Sequence, residues 1–492
     1  MKLARLCDGA GIACPAGDAG SVSVSGFAID HRKVAPGTVF GAFAGTQVNG
    51  EDFIPAAIAA GAVAVIARPQ ARVEGAIHVA AAEPRQAFAR LAAQYFAPVP
   101  EHIVAVTGTN GKTSTVEMTR QIWRMAGERA ASIGTLGVTT PDESISTGLT
   151  TPDIATFLAN LSGLAREGVT HLAYEASSHG LSQYRNEGVS VEAAAFTNFS
   201  RDHLDYHDSM ESYFAAKLRL FTEVVREGGS AVVWLDGSDW NRRVAEAAEA
   251  RGLKVLTVGS QGADIVLRHR AATSLGQTLT VEHAGRERTI ALPLIGAYQV
   301  ANALVAAGLA LASGTDPAAV WDAAARLQPV RGRLERAVIA PNGAPVYVDY
   351  AHTADALAAA IAALRPHVGG RLITVFGAGG DRDLGKRRAM GEAAAAGSDL
   401  VIVTDDNPRG EDPAAIRRSV LDGAPDAREI GDRREAICAA LGQAGEGDIV
   451  LVAGKGHETG QIIGRGDAMR VLPFDDVQVA RECAAALGGA QP

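Results

Sequence analysis

What the chain lacks narrows its class. Its 492 residues include only four cysteines, Cys7, Cys14, Cys438 and Cys483. They have neither the close spacing of a zinc site nor the density of a disulfide framework, which points to a reducing cytoplasm. No run of about 18 apolar residues occurs, so no membrane-spanning helix is expected. The start, Met1 to Asp8, carries no apolar stretch of the length a secretory signal needs. A basic excess is missing as well. The net charge is −9 and the pI about 5.8, which excludes general nucleic-acid binding and its need for a cationic footprint. Internal repeats and low-complexity tracts are also absent. A small-molecule enzyme or a protein-binding scaffold remains.

Apolar residues make up 47% of the chain, the share of a globular protein. Its length exceeds what one hydrophobic core serves, so several domains are expected. Up to about Pro98 lie short apolar runs, Val39 to Phe43 and Ala62 to Ile66, punctuated by Gly and Pro. Ile103 to Val106 reads as a buried strand leading into a glycine loop and a helix from about Thr113 to Met125. Further strand-like runs fall at 171–174, 193–196, 231–235 and 255–258, several separated by helical stretches. That alternation predicts βαβ units and a mostly parallel sheet. Beyond Pro329-Val330-Arg331-Gly332-Arg333 a second α/β series begins, with strands at 346–348, 372–376, 400–404 and 449–452 and a helix at 354–364.

Thr107-Gly108-Thr109-Asn110-Gly111-Lys112-Thr113-Ser114 follows a strand and opens a helix, the context of a phosphate cradle. Glycines let main-chain N–H groups approach phosphate, and the helix N-terminus adds positive potential. Lys112 is placed for the β- and γ-phosphates and Thr113 for Mg²⁺. The generic pattern has a glycine where Val106 stands. Ligands in open α/β sheets bind beyond the carboxyl ends of strands. Glu175 and His203 each follow a strand there, with donors suited to a divalent ion. Lys217 borders the helical face Phe214, Leu218 and Phe221, where partial burial would leave a neutral amine able to react with carbon dioxide; the usual alternative is a stem lying along that face with its head in water.

These blocks together resemble the Mur ligase family, cytoplasmic amino-acid ligases of peptidoglycan synthesis. The matching segments are Thr107–Ser114, Tyr174–Gly180, Asn198–His203, Lys217, Gly296–Asn302, Gly332–Glu335 and Asp349–Thr353. They follow the family's order over residues 25–465. The resemblance implies three domains: an N-terminal UDP-sugar-binding α/β domain (1–98), a central P-loop ATPase domain with a mostly parallel sheet (99–328) and a C-terminal Rossmann-like domain (329–492). It implies ATP and Mg²⁺ as cofactors, with nucleotide held by Gly108 to Ser114, Asn302, Arg333 and Asp349. Lys112, His203 and Lys217 are its expected catalytic residues. Thr113, Glu175, His203 and a carbamylated Lys217 are its expected metal ligands.

Within the family the chain is most similar to ligases that add the third residue to UDP-N-acetylmuramoyl-L-alanyl-D-glutamate. The supporting residues are Thr150, Thr151, Ser177, Gln183 and Arg185, with Thr46, Gln47 and Val48 resembling a uridine loop. Asp406-Asn407-Pro408-Arg409 resembles the signature for meso-diaminopimelate, completed by Arg382, Gly454 and Glu458. A guanidinium binds that substrate's second carboxylate bidentately, and lysine has none. A site left with an unpaired guanidinium disfavours lysine. The family's Asp-Ser-Arg motif reads Asp30-His31-Arg32 here, so the serine's contacts do not carry over. A monomer is expected. The rivals are a lysine-adding or folate/polyglutamate-type ligase, a dinucleotide oxidoreductase using Phe376 to Arg382, and a non-catalytic nucleotide-binding scaffold. The oxidoreductase lacks its third fingerprint glycine, because Arg382 stands there.

Overall fold

The computed structural model describes residues 1–45, 48–145, 151–204, 206–273, 276–381 and 385–489. Thr46, Gln47, Thr150 and Arg382, expected at the substrate, lie outside the described residues. The chain forms two compact units, one of Met1–Val266 with Asn302–Ala323, the other of Leu267–Ala301 with Ala324–Pro492.

The first unit opens with four parallel strands in sequence order, Gly26–Ala28, Thr38–Gly41, Ala62–Ala67 and Ile77–Ala80. The helix Pro84–Tyr95 starts on a proline, whose fixed φ suits the first turn. It buries Phe88, Leu91 and Ala92 in the unit's main core.

A larger sheet follows. Six of its parallel strands run in the order Lys254–Gly259, Val225–Trp234, Val191–Phe196, His102–Thr107, His171–Glu175 and Ala130–Gly134. Strands 191–196 and 171–175 are buried throughout, as strands covered on both faces must be. From His102–Thr107 the chain crosses to Ala130–Gly134 on one side and later reaches Val191–Phe196 on the other. The central strand is therefore the switch point, where a ligand crevice opens. One expected strand starts earlier than its apolar run: it begins at Val225, not Ala231, because its pairing with Val191–Phe196 has a bulge between Val225 and Ser230 in which residues 226–228 are exposed.

The second unit carries the hairpin Gln277–His283 and Arg286–Leu292. It also holds a six-stranded sheet in the order Glu335–Ile339, Pro345–Asp349, Ile449–Ala453, Leu372–Phe376, Leu400–Val403 and Arg428–Glu429. All its pairings are parallel except the first. Alternation along Leu372–Phe376 builds two cores. Leu372 and Phe376 pack with Leu357, Ile361 and Met390 on one face, while Ile373 and Val375 pack with Ile437, Leu441 and Val477 on the other. On that second face Cys438 and Cys483 form a disulfide, Cα–Cα 5.1 Å, between the helices Arg433–Gln443 and Asp476–Gly489. The wide spacing of the four cysteines gave no sign of this single bridge. A separation of 45 residues hides a contact that only helix packing creates. Among the described residues no helix is long and apolar enough to cross a membrane.

Candidate active site

The phosphate loop bridges His102–Thr107 and the helix Lys112–Met125. Gly108 has φ +144° and Gly111 φ +85°, conformations costly for any residue with a β-carbon. Space adds to the demand, since a β-carbon at Gly108 would collide with Thr197 Oγ1 and one at Gly111 with Asn302 Oδ1. Val106, where the generic pattern has glycine, is buried in the strand and paired with Glu175 and Ala195. The turn starts after it, so no glycine is needed there.

The loop is clamped from the next strand. Asn110 N donates to Asn198 Oδ1 at 2.9 Å, and Thr197 Oγ1 donates to Asn110 O at 2.6 Å. Lys112 Nζ folds back onto Gly108 O (3.1 Å) and Thr109 O (2.8 Å). Thr113 and Ser114 are buried at the first helical turn.

Lys217, on the helix Met210–Arg219, is 1% exposed. Its Nζ donates to Gly108 O at 2.7 Å and lies 4.6 Å from the centre of the Tyr213 ring. Burial, and next the neighbouring Lys112, hold its pKa well below the ordinary lysine value. The structure thus buries Lys217 more deeply than the helical spacing alone required and sets it against the phosphate loop.

Glu175 ends its strand, 2% exposed. Its oxygens accept from Thr135 N at 2.7 Å and Thr135 Oγ1 at 3.2 Å, leaving lone pairs for a cation. His203 adopts φ +52° and is 43% exposed, with its ring 3.5 Å from Asp202 and edge-on to His179. Among the described residues no group of three or more His, Cys, Asp or Glu side chains is gathered as a metal site. Glu175 and His203 stand there as separate donors, one carboxylate and one imidazole.

A second cluster lies in the same unit. Thr151 Oγ1 is 3.0 Å from Ser177 Oγ and donates to Glu175 O at 3.0 Å. Arg185 donates to Thr151 O (3.0 Å) and Gln183 Oε1 (2.7 Å), and Gln183 Nε2 reaches the Tyr206 hydroxyl at 2.9 Å. Tyr206 and Arg85 were not foreseen. Arg85 lies over Phe43 at 4.9 Å and donates to Ala44 O at 3.1 Å, and its pKa is lowered by burial and then by Arg185. An arginine within electrostatic reach of a second one favours a nearby anion. Val48 is 55% exposed. Nearby, Arg32 grips Asp30 (2.9 and 2.7 Å), and His31 stacks on Phe53 at 4.5 Å.

Asn302, in the first unit, abuts Gly111. Arg333 and Asp349 belong to the second. The Asp349 carboxyl accepts from Leu334 N (2.7 Å) and Ala351 N (2.8 Å), and burial raises its pKa. Arg333 lies 4.6 Å over the Tyr350 ring.

The second unit also gathers the loops that follow Leu400–Val403 and Ile449–Ala453. Asn407 Nδ2 donates to Glu458 Oε2 at 2.8 Å, and Arg409 Nη1 donates to Gly380 O at 2.9 Å. Pro408 is buried beside Gly380, which has no room for a β-carbon. Gly454, φ +117°, passes the Asp406 carboxylate. Lys455, absent from the expected site, lies at the centre of this cluster.

A phosphate loop at the switch point of a parallel sheet, with a buried lysine on its carbonyl, defines an α/β nucleotide-dependent enzyme. Three known regions match: "Mur ligase family, catalytic domain" at residues 23–101, "Mur ligase middle domain" at 106–310, and "Mur ligase, glutamate ligase domain" at 332–456. The chain belongs to the Mur ligase family, whose nucleotide is ATP. It is 59% identical to the UDP-N-acetylmuramoyl-L-alanyl-D-glutamate--2,6-diaminopimelate ligase of Zymomonas mobilis, over 98% of both chains. Identity to the ligase of the same name from Bradyrhizobium diazoefficiens is 52%, over 93% of this chain and 94% of that one. A solved ligase of that name superposes with TM-score 0.74 at 34% identity, covering 99% of each chain. The ADP complex of MurF from Thermotoga maritima shares the fold, with TM-score 0.60 at 19% identity over 95% and 99% of the chains.

Proposed function

We propose that the chain adds meso-2,6-diaminopimelate to the D-glutamate carboxylate of UDP-N-acetylmuramoyl-L-alanyl-D-glutamate, with ATP cleaved to ADP and phosphate. The observation that carries the choice of amino acid is the joining of Asn407, Arg409 and Glu458 into one cluster by hydrogen bonds. A carboxylate there offers a seat for the distal ammonium, and a guanidinium offers one for the distal carboxylate. The names of the relatives support the same reading.

The γ-phosphoryl group passes to the D-glutamate carboxylate, and the resulting acyl phosphate is attacked by the diaminopimelate amine, which expels phosphate. Lys112 and the main-chain N–H groups of the loop hold the transferring phosphate and offset its charge. Thr151, Ser177, Gln183 and Arg185 orient the dipeptide end of the UDP-sugar, with Thr46, Gln47, Val48 and Thr150 as its further contacts. Asp406, Pro408 and Gly454 contribute to the amino-acid site, with Arg382 as a further expected contact. Positioning carries most of the second step, because the acyl phosphate is already activated.

The residues that would hold Mg²⁺ are Thr113 through its hydroxyl, Glu175 through its part-used carboxylate, His203, and Lys217 as its carbamate. When bound it screens charge on the phosphates. The support for Lys217 is complete burial against Gly108 O. Asn302, Arg333 and Asp349 are carried over as nucleotide contacts on the family resemblance alone. We further assign residues 1–98, 99–328 and 329–492 as its three domains, a cytoplasmic setting and a monomeric state.

The test is phosphate release with ATP and the UDP-dipeptide, comparing meso-diaminopimelate with L-lysine. Release that needs the dipeptide and diaminopimelate is expected. Equal use of lysine would refute the amino-acid assignment, and release without any amino acid would refute the ligase.

A further inference from the structure

The reaction above leaves unused a charged side chain at the centre of the amino-acid pocket. Lys455 follows the strand Ile449–Ala453 and is 0% exposed. Its Nζ donates to Asn407 Oδ1 at 2.9 Å and lies 3.4 Å from both Asp406 Oδ1 and Glu458 Oε2. A buried ammonium is tolerated when its N–H groups meet acceptors and opposite charge, and here three acceptors surround it. Each of those partners is itself fixed. Asn407 Oδ1 also accepts from Ile462 N at 2.9 Å, and Asp406 O accepts from Gln461 Nε2 at 2.7 Å. Below them Arg433, 0% exposed, pairs with Asp476 (2.8 and 2.7 Å) and donates to Ala453 O at 3.0 Å, which pins the strand end that Lys455 leaves.

Formal charge gives this arrangement a consequence for selectivity. Among the described residues the cluster holds two carboxylates, Asp406 and Glu458, and two cations, Lys455 and Arg409. The sum is zero. The distal end of diaminopimelate carries one ammonium and one carboxylate and is also neutral, whereas the distal end of lysine carries a lone positive charge. Without Lys455 the cluster would be net negative and would favour the lysine end. Glu458 and Asn407 would also lose the ammonium that holds them in register.

Resting on the diaminopimelate reading, we propose that Lys455 is a positioning and specificity residue. It orients Asn407 and Glu458 toward the substrate and sets the pocket charge that selects a neutral distal end over a cationic one. The test uses the purified full-length enzyme, with KM and kcat for meso-diaminopimelate, L-lysine, ATP and the UDP-dipeptide. For Lys455→Met, the KM for diaminopimelate is expected to rise about tenfold or more, the effect of losing charge-assisted hydrogen bonds. The KM values for ATP and the dipeptide should stay within about twofold, and the diaminopimelate-to-lysine ratio of kcat/KM should fall about tenfold. Lys455→Met/Asp406→Asn returns the charge sum to zero, and it leaves no uncompensated buried carboxylate if the single variant fails to fold. It should regain preference for diaminopimelate. An unchanged selectivity ratio in Lys455→Met, or no recovery in the double variant, overturns the proposal. Wild-type enzyme that releases no phosphate with diaminopimelate instead overturns the reading on which it rests.

Discussion

Replacing Arg409 with methionine tests most directly how the pocket chooses its amino acid. Arg409 has φ +51°, a left-handed conformation. It is held there by hydrogen bonds from Arg409 N to Ile462 O (3.0 Å) and from Gly464 N to Arg409 O (2.7 Å). The aim of the side chain is thus set by main-chain pairing, which the Arg409→Met substitution would keep. The guanidinium places Nη1 on Gly380 O at 2.9 Å and 3.5 Å from Asn407 O, and the Nε and Nη2 edge is the fork available to a carboxylate. Each charge-assisted hydrogen bond contributes about 1.5–3 kcal/mol. Two of them, offset in part by desolvation of the substrate carboxylate, leave about 3 kcal/mol, roughly 150-fold in kcat/KM. Lysine has no group for the fork, so its kcat/KM should change less than about threefold. The assay is phosphate release at varied amino acid, with thermal unfolding followed alongside. If both substrates lose activity equally, or if diaminopimelate loses less than about fivefold, the bidentate argument is refuted.

Three other outcomes are expected. Gly111→Ala combines about 1–2 kcal/mol of left-handed strain with a collision at Asn302 Oδ1, so calorimetry should show ADP affinity reduced by about tenfold or more, and wild-type affinity would contradict the loop geometry. Lys217→Ala should abolish ligase activity, with partial recovery in added short carboxylates, and full activity without them would end its role at the metal. His171 is buried and stacked on His102 at 4.4 Å, and burial followed by His102 lowers its pKa from 6.5 to about 4. The proton is held less tightly in the folded state, so this stability is complete above pH 6.5 and is lost as pH falls from 6.5 towards 4. The loss approaches about 3 kcal/mol at most. Urea unfolding at pH 7 and 4.5 should show a smaller pH dependence for His171→Phe than for wild type, and equal dependence would remove His171 as the cause.

Much of the nucleotide end was legible because its information is contiguous. Strand, glycine turn and helix are adjacent in Val104 to Met125, and the helical spacing of Phe214, Leu218 and Phe221 already marked the face that Lys217 borders. The strand read from Ala231 was cut short because a bulge with exposed residues 226–228 interrupts its pattern, while Val225 beyond the bulge still pairs with Val191. Arg85 and Tyr206 gave no signal, since neither belongs to a local pattern.

By itself the sequence determined the α/β class, the parallel sheet and the phosphate loop, together with the ligase resemblance, because periodicity and turn chemistry act over a few neighbouring residues. Tertiary structure alone decided that Lys217 lies on Gly108 O, that Asp349 serves its own main chain, that Cys438 meets Cys483, and that Lys455 joins Asp406, Asn407 and Glu458. Those contacts depend on strand order and helix packing, which within each unit bring together segments distant along the chain. No local spacing encodes that convergence.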